Sequence, residues 1–66
     1  MIMRSMDLFA LAEEFSENVG FSSQFRHYYL RIRMAESVRN SVFLAIDQLG
    51  LSEHFRCYLD RLPVSE

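Results

Sequence analysis

Sixty-six residues with a net charge of −2 and one cysteine make one domain at most, exclude an intramolecular disulfide and give no strong electrostatic reason to bind nucleic acid. A chain this short buries only about 60% of the surface its unfolded form exposes, yet half its residues are hydrophobic, six Phe, three Tyr and four Met among them. Apolar surface left outside so small a core marks an interaction site. The expectation is therefore a protein partner or a second copy of the chain.

The lone cysteine points to a reducing, cytoplasmic setting. Met1–Met6 lacks the apolar stretch of a signal peptide. The longest apolar runs, 8–12 and 42–46, are far too short to span a bilayer, so no membrane partner is expected.

The first helix is predicted over about 6–19. Ser5 or Asp7 is placed to cap it. Leu8, Leu11, Ala12, Phe15 and Val19 recur at helical spacing and form one apolar face. Gly20 supplies the left-handed residue that stops it.

The second helix is predicted from Ser22 or Ser23 to Leu49, about 40 Å long at 1.5 Å per residue. Neither Gly nor Pro interrupts it. Phe25, Ile32, Arg39 and Ile46 take one heptad core position, and Tyr28, Ala35, Val42 and Leu49 the other. Leu30, Met34, Ser41 and Leu44 form a second line on the far side. A helix apolar on two faces is usually packed on both, hence central. The alternative is a break near Glu36–Ser41, where Ser37, Asn40 and Ser41 are weak helix formers.

The third helix is predicted over about 53–62, with Ser52 as its cap and Pro63 as its stop. Leu51, Phe55, Tyr58, Leu59 and Leu62 form its buried stripe, and Arg56 and Asp60 are spaced to pair outside. Its start echoes that of the second helix. Gly20-Phe21-Ser22-Ser23-Gln24-Phe25-Arg26-His27-Tyr28 returns as Gly50-Leu51-Ser52-Glu53-His54-Phe55-Arg56-Cys57-Tyr58.

Ile46–Ser52 and Val19–Gln24 both resemble the turn of a bacterial helix-turn-helix, the latter that of the arabinose-regulator type. The resemblance covers about ten residues per copy, and its Gly-apolar-Ser core is also ordinary grammar for a corner between helices. It implies base contacts from Ser23, Gln24 and His27, or from Glu53, His54 and Cys57. A 27-residue second helix is too long for that motif, and Glu53 would meet phosphate.

Charge is segregated. Residues 1–20 carry net −3, 21–40 net +3 and 41–66 net −2, and every basic residue is Arg. Arg26, Arg31 and Arg33 are the candidate nucleic-acid contacts. The favoured reading pairs this cluster with Glu13, Glu14 and Glu17 of the first helix. Arg39, in the heptad seam, either fixes the register of a dimer with Glu36 as its acid or turns out to solvent.

His54 and Cys57 supply two ligands where a metal needs three or four. No base or oxyanion hole accompanies Cys57 as a nucleophile. No metal, cofactor or enzymatic activity is therefore expected. Phe25, Tyr28, Tyr29, Phe55 and Tyr58 could stack on bases, but at helical spacing they read as core. The expected protein is an all-α, three-helix unit with a long central helix, associating as a dimeric helical bundle. It acts as a regulator or adaptor through Tyr29, Leu30, Met34, Arg39, Phe43 and Leu44. A small dimeric DNA-binding regulator is the alternative.

Overall fold

A computed structural model describes residues 5–62, with side chains from Leu8 onward. The side chains of the expected caps Ser5 and Asp7, the stop at Pro63 and the tail beyond it lie outside what is described. Four helices follow one another: α1 (Ser5–Asn18), α2 (Ser22–Arg33), α3 (Val38–Gln48) and α4 (Ser52–Arg61). The described residues contain no strand and are all-α.

The long second helix is a correction. It is broken between Arg33 and Val38 into two helices of similar length. Ser37 leaves helical geometry (φ −68°, ψ 166°), and its hydroxyl accepts the Asn40 amide at 3.3 Å. A serine that satisfies an amide from outside the helix competes with the helix itself. Arg33 clamps the corner by donating to the Glu36 carbonyl at 2.8 Å, and Asn40 donates to the Glu36 carboxylate. Folding back at this point lets α2 pack on α3. The longest dimension of the fold is 33 Å, shorter than an unbroken helix of about 40 Å.

The break also takes the centre out of the expected heptad seam. Phe25 below it and Val42 and Ile46 above it are buried, but Ala35 and Arg39 are exposed. Arg39 lies with its guanidinium 5.5 Å from the Phe43 ring centroid, in cation–π range. Glu36, the acid suggested for it, is engaged by Asn40 instead.

Two hairpins result, α1–α2 and α3–α4, and their corners are built alike. Gly20 (φ 82°) and Gly50 (φ 72°) occupy the left-handed region. The amides of Phe21 and Leu51 reach back to the carbonyls of Ser16 and Ile46, and those of Gly20 and Gly50 to Glu17 and Asp47. These two bonds define a Schellman stop. Phe21 and Leu51 then open the next helix, accepting from the amides of Phe25 and Phe55. They, not the serines, are the N-cap residues. Ser52 is already helical and donates its hydroxyl to Asp47 at 3.1 Å.

The echo in the sequence thus extends, at an offset of thirty residues, from the last turn of the inner helix through the outer helix. Glu17-Asn18-Val19-Gly20 answers Asp47-Gln48-Leu49-Gly50, and Arg31-Ile32 answers Arg61-Leu62. Burial repeats as well. Ala12, Phe15, Ser16 and Phe25 are buried, and so are Val42, Ala45, Ile46 and Phe55.

Contrary to the expected arrangement, the helices do not gather around one long member. α1 and α3 each touch all three others, whereas α2 and α4 do not touch. The inner pair is lined with small buried residues, Ala12 and Ser16 on α1 and Ser41 and Ala45 on α3. Both serines return their hydroxyls to their own helix, Ser16 to the Glu13 carbonyl and Ser41 to that of Ser37. No described buried side-chain polar atom lacks a partner, as a packed interior requires.

Candidate functional site

α2 carries residues in excess of what the core uses. Phe25 is its one fully buried side chain, with Tyr28, Tyr29 and Ile32 half-buried beside it. Tyr29, expected as a contact residue, packs tilted against the Phe9 ring with centroids 4.6 Å apart, so much of it serves intrachain packing. Leu30 and Met34, one turn apart on the opposite face, are 63% and 88% exposed. Ser23 and His27, both exposed, continue that stripe toward the helix start. At 100° per residue Arg26 and Arg33 lie on one flank of it and Arg31 on the other.

Two of these arginines are engaged. Arg26 holds Glu13 of α1 through Nε at 2.9 Å and Nη2 at 2.5 Å. This is the pairing of basic and acidic segments favoured from their charges, made by Glu13 alone of the three acids named. The pair is solvent-exposed on the arginine side and so contributes at most about 1 kcal/mol. Arg33 is spent on the Glu36 carbonyl. Arg31 lies with Tyr28, Ile32 and Gln48 along a cleft of about 290 Å³ between α2 and α3.

The other expected contact residues sit on α3. Phe43 and Leu44 are 39% and 44% exposed and point to different sides of their helix. Phe43 lines a groove of about 400 Å³ between α3 and α4, opposite Ser52, Arg56 and Leu59. Its ring reaches within 5.9 Å of Phe55.

A third groove, about 590 Å³, runs between α1 and α4 over Phe15, Val19 and Tyr58, with His54, Cys57 and Arg61 at its edge. Partial burial, aided by the nearby Glu14 carboxylate, raises the Tyr58 phenol above its ordinary pKa of 10.0. Cys57 is a free, exposed thiol. Among the described residues no three of His, Cys, Asp and Glu converge as a metal site would require. The Arg56–Asp60 pair allowed by spacing is not formed, the described ion pair being Arg26–Glu13. No described helix is long and apolar enough to cross a membrane.

The α3–α4 groove was invisible to a reading of the nine-residue echo alone. Its signal lies further back, where the thirty-residue offset sets Arg39 against Phe9 and Phe43 against Glu13. The chain matches no protein-family model, and no curated protein or solved structure is significantly similar to it.

Proposed function

We propose that this chain is a small non-enzymatic regulator or adaptor that works by protein–protein association, first with a second copy of itself. The observation that carries the reading is the pair Leu30 and Met34, exposed one turn apart on α2 and at its C-cap, while the inner face of that helix already packs on the core. An apolar stripe of this kind loses little by being covered and gains about 25 cal/mol per Å² when it is.

The arginine rim decides how the association responds to salt. Two α2 faces meeting in a symmetric dimer bring Arg31 and Arg33 of both copies near one another, while Arg26 is already neutralised by Glu13. Salt screens that repulsion, so the homodimer should hold or tighten as ionic strength rises. The test is solution mass by light scattering across a dilution series at low and high salt. A dimer that survives high salt and is lost on Leu30→Glu supports the reading. A monomer at every concentration removes the homodimer and leaves the face to another protein.

The DNA-binding alternative draws on one feature, the break after Arg33. It leaves α2 as a 12-residue helix without an acidic side chain, following a tight glycine corner. That length removes the objection raised by an unbroken second helix. The alternative requires a shift of duplex DNA that weakens steeply with salt and is reduced by Arg31→Gln. A shift absent at low salt eliminates it.

A further inference from the structure

The two hairpins treat one equivalent groove in opposite ways. In the first hairpin the groove between α1 and α2 is closed by the chain itself. Glu13 holds Arg26, and the Phe9 ring packs tilted against Tyr29, centroids 4.6 Å apart. In the second hairpin the offset of thirty residues replaces Glu13 by Phe43, Phe9 by Arg39 and Tyr29 by Leu59, while the arginine persists as Arg56. Both closures are lost. Arg56 has no carboxylate partner among the described residues, and an open groove of about 400 Å³ remains beside it.

What is left is a floor of Phe43 and Leu59 with Arg56 on one side and the Arg39 guanidinium over the Phe43 ring. Glu53 and Asp60 line the same groove, but at 100° per residue both lie further round α4 from the buried Phe55 than Arg56 does, so an anion is favoured on the Arg56 side. We infer that this α3–α4 groove is a docking site for a partner-protein segment presenting a carboxylate beside an aromatic or large aliphatic side chain. The carboxylate goes to Arg56, and the apolar side chain to Phe43 and Leu59. The first hairpin shows the same chemistry satisfied from within: an arginine at this position donates to a carboxylate, with an aromatic contact one turn away. The groove is separate from the Leu30–Met34 stripe, so the inference stands whether or not the chain forms a dimer.

The test uses the full chain labelled with ¹⁵N and a short blocked helical peptide bearing one glutamate and one phenylalanine a turn apart. Saturable shifts should gather at the amides of Phe43, Ser52, Arg56 and Leu59. Affinity should fall about fivefold when the peptide's glutamate becomes glutamine, and equally with Arg56→Gln, as the loss of an exposed ion pair implies. Arg26→Gln should leave affinity unchanged. Phe43→Glu supplies the missing carboxylate within the chain and should abolish binding. Because Arg56 is exposed, Arg56→Gln should keep the thermal melt of the parent, which separates lost binding from lost folding. Absence of saturable shifts, shifts centred elsewhere, or indifference to Arg56→Gln would each overturn the inference.

Discussion

The first hairpin, α1–α2, is closed on its inner side and open outward; the second, α3–α4, is the reverse. The first spends Glu13 and Phe9 on covering its own groove, yet sets Leu30 and Met34 outward in the water. The second leaves its groove uncovered, and at the position of Leu30 it carries Asp60. A shared frame of glycine corner, buried Phe and small inner-helix residues thus supports two different surfaces. Residues inside the fold repeat because the packing repeats, and the surfaces are where the copies are free to differ.

The equivalence of the two frames can be broken most severely at the buried rings. Phe25→Ala and Phe55→Ala each remove a fully buried aromatic, at a cost of about 3–5 kcal/mol. That approaches the whole stability of a domain this small, about 3–5 kcal/mol. Both variants should be largely unfolded in urea titrations, and a folded one would show that its hairpin is dispensable.

The corners should respond next, and alike. Nothing lies within 4 Å of a Cβ built at Gly20 or Gly50, so the cost of Ala there is the positive φ alone. Gly20→Ala and Gly50→Ala should each lose about 1–2 kcal/mol, with similar shifts in denaturation midpoint. A large inequality would mean that the corners are not equivalent in solution.

Smaller effects sharpen the difference between the halves. Glu13→Gln should cost under about 1 kcal/mol, less in high salt, whereas Arg56→Gln, with no partner to lose, should cost nothing measurable. Tyr58 bears on pH. Partial burial and Glu14 raise its pKa above 10.0, so the folded state favours the neutral phenol. That contribution is complete below the unfolded pKa and is lost as pH rises through the folded one. Stability should therefore decline on the alkaline side of about pH 10, and Tyr58→Phe should flatten that limb of the profile.

Much of this was readable in the chain. The helical period of Leu8, Ala12 and Phe15 and the glycine stops at 20 and 50 are local signals, and the structure uses them as read. The break at Ser37 was visible only as a rival, because capping by one serine competes with a heptad pattern that runs unbroken through it. Tertiary packing of α2 on α3 settles that competition, and no local signal reports it. The exposure of Leu30 and Met34 followed from their place opposite the core stripe. The open groove did not, since its meaning depends on comparing Phe43 with Glu13 across hairpins whose inner helices share no identical residue at that offset.

The two-hairpin arrangement is tested most directly by attaching a nitroxide at position 48, using Gln48→Cys in a Cys57→Ser background. Gln48 and Tyr28 line the same cleft, although twenty residues of continuous helix would hold them about 30 Å apart. Strong relaxation broadening of the amides from Tyr28 to Ile32 is the result expected of a chain folded back at Ser37. Sharp signals there, with broadening confined to the neighbours of position 48 in sequence, would mean a continuous second helix and contradict the paired hairpins.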